Sequence, residues 1–306
     1  MPLRQVHCPS IPGGAPMLED LAFLYTQQDA LVFTLLGYVL VILGAVLSAS
    51  LLTPRVGKLS RSWFYQRAGV ASLLLAVNQA WWLLYVPSLA AGVSWLWMVT
   101  DILGYLAYGA YLIRIAQCRS RDAYGDTARA WMILIPIANL ILIFRRSQQP
   151  DAQAGSVMAA LAGIAFVILS RVLNAGLMDA VETKTLADMQ ADPRAVAAIQ
   201  SLILRHDGPE AGLDTLIQSE GAPQRLGPDL MLTSVTRQAL AVTYAFRIDM
   251  ADATSLDVDY RREFVSAICG AYLPFMEIGA TVALHYTRPD GATVERLDLS
   301  LTTCTT

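Results

Sequence analysis

From Ala30 to Met178 the chain is a series of long apolar blocks separated by short loops that hold most of the arginines. The first block, ALVFTLLGYVLVILGAVLSASLL at 30–52, runs 23 residues without a charge. As a helix it is long enough to cross a hydrocarbon core of ~30 Å. Blocks at about 69–86, 95–116 and 155–178 predict three further spans. A fifth, WMILIPIANLILIF at 131–144, has 14 residues interrupted by Pro136 and Asn139. It rises only about 21 Å as a helix. It therefore predicts either a thin span or a re-entrant segment that returns to the side it came from.

After residue 179 the pattern changes. Asp192-Pro193 opens a helix, DPRAVAAIQSLILRH, with proline where a missing N–H costs nothing. AGLDTLIQSE predicts a second helix, and DLMLTSVTRQ and ALAVTYAFRIDM predict strands rich in β-branched and aromatic residues. Tyr244, Phe246 and Ile248 alternate with Ala245 and Arg247, the period of a strand with one buried face. DVDYRREFVSAICGAY predicts a helix, with Asp257 and Asp259 favourably near its N-terminus. TVALHYT and ATVERLDLSL around Arg288-Pro289-Asp290-Gly291 predict a hairpin. The expected fold is an all-α membrane bundle of four spans plus one short re-entrant or thin span. A small α+β domain follows, with an antiparallel sheet of about four strands and helices on one face.

Three regions are expected: a disordered N-terminal arm at 1–29, a transmembrane domain at 30–178 and a soluble domain at 179–306. The arm is rich in Pro and Gly and has no apolar run of the kind a cleavable signal peptide carries. Met17 is a second candidate start. A hydrophobic share of 55% and a mean hydropathy of +0.46 agree with the membrane class.

Charge adds orientation. Residues 1–179 hold 12 Lys/Arg against 8 Asp/Glu, and residues 180–306 hold 10 against 17. An acidic tail lacks the basic stripe that nucleic-acid binding uses, so no nucleic-acid partner is expected. Arg55, Lys58, Arg61 and Arg67 follow the first span, and Arg114, Arg119, Arg121 and Arg129 follow the third, in loops expected to be cytoplasmic. Arg145 and Arg146 close the short apolar segment; re-entry keeps them with the other arginines and so is the favoured reading. The tail then lies outside the cytoplasm. Trp81, Trp82, Trp95 and Trp97 form an aromatic belt at the opposite face.

Polar residues inside spans are scarce and therefore informative. Asp101 and Arg171 are expected at similar depth with Asn78, Gln79 and Asn174 nearby, as an ion pair or as a translocation path. Gly104, Ala107, Gly109 and Ala110 offer small faces for close helix packing. Of the four cysteines, Cys269 and Cys304 bracket the last helix and hairpin. A bridge between them would add ~3 kcal/mol and mark an oxidising compartment. Cysteine spacing gives no zinc pattern, and no nucleophile–base set, phosphate loop or dinucleotide fingerprint appears. His206 and His285 stand alone. No catalytic role, metal or cofactor is expected.

Residues 119–144, RSRDAYGDTARAWMILIPIANLILIF, resemble the closing portion of the YhaH-type bacterial inner-membrane family of unknown function. Arg119, Arg121, Asp122, Trp131 and Pro136 hold the places of its arginine-rich loop, acid, aromatic and Ile-Pro step, with Arg121 where that family usually has histidine. The resemblance implies a bacterial cytoplasmic-membrane location. The tail is also similar to small periplasmic α+β domains that end in a Gly-Ala strand, an Asp-Gly hairpin and a final cysteine. The expected role is non-catalytic: an accessory, assembly or sensing protein in the bilayer that meets a protein partner through its periplasmic domain. Ion or solute translocation around Asp101 and Arg171 is the alternative.

Overall fold

The computed structural model describes residues 16–53, 57–147, 156–249 and 258–305. Arg55 and most of the expected N-terminal arm lie outside them. The chain divides into two compact units, one built from Met17–Ser88 and Val93–Leu186, the other holding Ala187–Thr306.

The first unit is helical. It comprises α1 (Pro16–Thr26), α2 (Ala30–Leu51), α3 (Arg61–Ala80), α4 (Tyr85–Ala90), α5 (Ser94–Tyr124), α6 (Pro136–Phe144) and most of α7 (Val157–Ala191). Single 3₁₀ segments at Trp81–Leu84 and Ala128–Leu134 precede α4 and α6. Among the described residues, four helical stretches are long and apolar enough to cross a membrane: Ala30–Leu51, Arg61–Ala90, Ser94–Tyr124 and Val157–Val181. Residues 16–26, within the expected disordered arm, are helical. An 11-residue helix is marginal alone, and α1 is held by burying Ala22, Phe23 and Tyr25.

Small residues set the helix contacts. The buried positions of α2 are Gly37, Gly44, Ala45 and Ser48, while Leu31, Leu35, Val39, Ile42 and Val46 are exposed. Small side chains inside and large apolar ones outside is the arrangement of helices packed in lipid. Gly37 lies against Tyr105, and Gly109 lies against the backbone of Val41. Arg114 donates to the carbonyls of Leu52 and Thr53 at 3.5 and 2.6 Å. Positions rise together on both helices, so α2 and α5 run parallel. α3 runs the other way: Asn78 near its end meets Asp101 near the start of α5, and Phe64 near its start packs with Ile115 and Cys118. α7 runs with α3, since Gly163 lies against Tyr65 and Gln66, and Phe166 against Gly69.

A Cβ at Gly109 would strike the Val41 carbonyl, which belongs to backbone and cannot swing aside. Gly109→Val is therefore expected to destabilise the helical unit by about 1–3 kcal/mol. Unfolding in mixed detergent micelles measures this, and a wild-type midpoint would refute the packing described.

The short apolar segment does not pass along the bundle. Ala130 and Leu142 pack on Ala45, Ile113 and Ala116, while Ile133 and Ile143 meet the cluster of Leu59, Phe64, Ile115 and Cys118. Its contacts thus stay beside the last turns of α5, and the chain returns to the end at which α5 stops. α5 itself runs eight residues beyond the span expected at 95–116. Gly125 ends it in the left-handed conformation at φ +84°, donating its N–H to the Arg121 carbonyl at 3.0 Å.

The second unit layers helices on a five-stranded sheet. α8 (Pro193–Asp207) is capped by Asp192, whose side chain accepts the Arg194 N–H at 2.9 Å. α9 (Pro209–Ser219), β1 (Gln224–Arg225), β2 (Leu230–Gln238), β3 (Ala241–Ile248), α10 (Val258–Glu277), β4 (Thr281–Thr287), β5 (Thr293–Leu299) and α11 (Leu301–Thr305) follow. The strands lie in sequence order, but β3 and β4 are parallel, with Tyr244 opposite Leu284. The sheet is therefore mixed rather than antiparallel. α10 carries the chain back along the sheet before β4 begins, and a parallel neighbour requires such a crossover. Val242, Tyr244, Phe246 and Ile248 face the core, with Leu204, Leu213 and Leu216 from α8 and α9 packed in the same cluster.

Candidate functional site

The apolar bundle has two chemically distinct ends, each with one buried acid. At the end where α2 and α5 begin, Asp101 has no solvent exposure. Tyr25 of α1 donates its hydroxyl to Asp101 Oδ2 at 2.7 Å, and Asn78 of α3 donates Nδ2 to Oδ1 at 3.0 Å. Both carboxylate oxygens are thus used, and three helices are tied to one side chain. Gly104 makes the room: a Cβ there would strike the Asn78 amide. Ser94 donates to Glu19, a second tie between α1 and α5. Around them Trp82 and Trp97 meet edge to face at 4.7 Å, Tyr25 and Phe33 do so at 5.3 Å, and Trp97 Nε1 donates to the Trp81 carbonyl at 2.9 Å.

The expected Asp101–Arg171 pair is not formed. Arg171 is exposed on α7 and lies near Tyr108, about two helical turns along α5 from Asp101. Gln79 makes no side-chain hydrogen bond among the described residues, being rotated off the face that carries Asn78. Asn174 leaves its buried Oδ1 without a partner. Of the five residues grouped by sequence, only Asn78 and Asp101 come together. A cleft of about 410 Å³ between α3 and α5 is lined by Leu74, Val77, Trp81, Ala107 and Tyr111, together with Asn78.

At the other end lies Arg119, expected in a basic loop but fully buried in α5. Its Nε donates to the Leu142 carbonyl at 3.2 Å, and its Nη2 donates to the Arg145 carbonyl. Nη1 pairs with Asp122, one turn on, and reaches Ser147 Oγ at 3.3 Å; Ser147 in turn donates to Asp122 at 2.6 Å. The end of α6 has carbonyls without helical partners, and a buried guanidinium supplies the donors. Lys58, Arg61, Arg129, Arg145 and Arg146 are exposed, Arg67 and Arg121 half-buried.

In the second unit Cys269 on α10 and Cys304 on α11 form a disulfide with Cα atoms 5.5 Å apart. Cys118 is a buried free thiol. His285, half-buried on β4, contacts the exposed Thr293 of β5 at 3.2 Å. Among the described residues no group of three or more His, Cys, Asp or Glu is placed to hold a metal. Glu220, beneath Tyr244, accepts its hydroxyl at 3.5 Å. Burial pushes the Glu220 carboxyl above the usual range, with the Tyr244 hydrogen bond only partly opposing it, and burial pushes the Tyr272 phenol up to about 12.

A carboxyl whose folded pKa is raised holds its proton longer in the native state than in the unfolded chain. Stability therefore falls as pH rises above the ordinary glutamate value of 4.5 through the raised one. Glu220→Gln is expected to remove that downward slope. Thermal melts of the full chain between pH ~4 and ~8 measure it; parallel profiles for variant and wild type would refute it.

Comparison with known proteins adds little. No protein-family model matches the chain, and no curated protein does. Among solved structures, a Pseudomonas aeruginosa crystal structure described as that of a candidate secreted protein matches with a TM-score of 0.26 and 13% identity. The match covers 30% of this chain and 88% of that one. At that score it supports no conclusion about this protein.

Proposed function

We propose that this protein is a multi-pass protein of the bacterial cytoplasmic membrane that displays a disulfide-braced α+β domain outside the cytoplasm to engage a protein partner, without catalysis. The observation that carries the reading is the turn-back of residues 128–147 to the basic end of the bundle. With the arginine-rich end on the cytoplasmic side, α2 and α5 run inward, and α3 and α7 run outward. The tail then follows α7 to the oxidising side, in accord with the Cys269–Cys304 bridge. The large apolar side chains exposed on α2 and α7 support burial in lipid. The choice of the bacterial inner membrane rests on what the resemblance of residues 119–144 implies.

A holding role suits Asp101 better than a translocating one, because both its oxygens are engaged and none of it reaches solvent. Spheroplasts expressing the full chain test the proposal. Protein resisting alkaline extraction, with its C-terminal unit removed by external protease, supports it. Extraction by alkali, or a tail protected until the membrane is opened, would overturn it.

A further inference from the structure

The returning segment at the basic end ends in charges that its own fold leaves unused. The Arg129 and Arg145 guanidinium carbons lie 4.3 and 4.6 Å from the centre of the Tyr124 ring. They are therefore no further apart than the sum of those distances, about 9 Å, so both charges fall within the compass of one phospholipid headgroup. Among the described residues neither arginine, nor Arg146 beside them, meets a carboxylate, and the nearest buried acid, Asp122, is taken by Arg119. The pair is held in place: the Arg145 carbonyl is bound by buried Arg119, and Tyr124 closes α5 just before Gly125. Arg145 and Arg146 line an open depression of about 520 Å³ with Ile141, Phe144 and Ser147. Ile141 and Phe144 are more than half exposed, and Ile137 is 81% exposed.

Two cations fixed on one ring, beside uncovered apolar side chains, fit an amphiphile with an anionic head and a hydrocarbon tail. We infer that Arg129, Arg145 and Tyr124, with the exposed face of α6, form a binding site for one anionic phospholipid on the inner leaflet. The phosphate accepts from Arg145 at the mouth of the depression, Arg129 adds the second positive charge beside it, and the first acyl segment lies on Ile141 and Phe144. The inference rests on the membrane reading above, and it gives the short segment a purpose that spanning would not.

The test uses the full chain in detergent micelles, with retention of dioleoyl-phosphatidylglycerol read by native mass spectrometry. Arg129→Gln/Arg145→Gln is expected to weaken retention about thirtyfold, the effect of removing two surface guanidiniums. Arg61→Gln/Arg67→Gln removes equal charge from the same end and should leave retention unchanged. Tyr124→Leu keeps every charge but frees the two guanidiniums, and should weaken retention as well. Excess inorganic phosphate should not displace the lipid, and phosphatidylcholine should not replace it. Equal loss in both double variants, displacement by phosphate, or equal retention of phosphatidylcholine would each overturn the site. A chain released from membranes by alkaline wash would instead overturn the membrane reading, and the site with it.

Discussion

Replacing Arg119 by methionine is expected to cost the helical unit about 3–5 kcal/mol, the usual effect of breaking a buried ion pair on one side. Arg119 has no solvent exposure, and its removal leaves the equally buried Asp122 charged and held by Ser147 alone. It also strips the donors from the Leu142 and Arg145 carbonyls. The second of those losses isolates a specific consequence. In the double variant Arg119→Met/Asp122→Leu the stranded charge is gone, so part of the stability returns, but the end of α6 still lacks its donors. Sodium dodecyl sulfate titration from mixed micelles, followed by circular dichroism, ranks the three proteins. The expected order is wild type, double variant, single variant. A single variant as stable as wild type would mean that Arg119 does not hold the returning segment.

The second large effect belongs to the other unit. Cys304→Ser is expected to lower the stability of the α+β unit by between about 3 and 4 kcal/mol, because the bridge closes a loop spanning 35 positions. Cys304 is the better position to change: Cys269 is packed in the core, and substitution there would add a cavity to the lost cross-link. The melt of the full chain should show a lowered transition for this unit and leave the helical unit's transition in place. Dithiothreitol should reproduce the shift in wild type and do nothing further to the variant. Denaturation with reductant should also expose two more titratable thiols than denaturation without it, those of Cys269 and Cys304. A variant melting like oxidised wild type would deny the bridge any part in stability.

The four long apolar helices were legible in the sequence because runs of twenty apolar residues have few other uses. The cysteine pair was legible because its two positions bracket one helix and one hairpin. α1 was not: eleven residues carry too little periodicity to distinguish a docked helix from a tail, and its stability comes from Tyr25 meeting Asp101, 76 positions away. Nor was the length of α5. Arg119 and Asp122 read as solvated loop residues, yet their i,i+3 spacing lets them neutralise each other inside the helix. The Asp101–Arg171 pairing failed in both depth and rotation: Arg171 lies near Tyr108, about two turns along α5 from Asp101, and on the exposed side of α7, while Asp101 faces α1 and α3. The parallel β3–β4 pair followed from α10 lying between two strands, a connection that reverses the sense of the second strand relative to a hairpin.

Everything about sidedness rests on residues 128–147 turning back instead of crossing. Paired reporter fusions, alkaline phosphatase and green fluorescent protein, placed after Ser147 and after Thr306 of the full chain, test this most directly. Phosphatase silent and fluorescence bright after Ser147, with the reverse after Thr306, is the pattern expected of a segment that returns. Phosphatase active after Ser147 and silent after Thr306 would show that the segment crosses, and would place the Cys269–Cys304 unit in the cytosol.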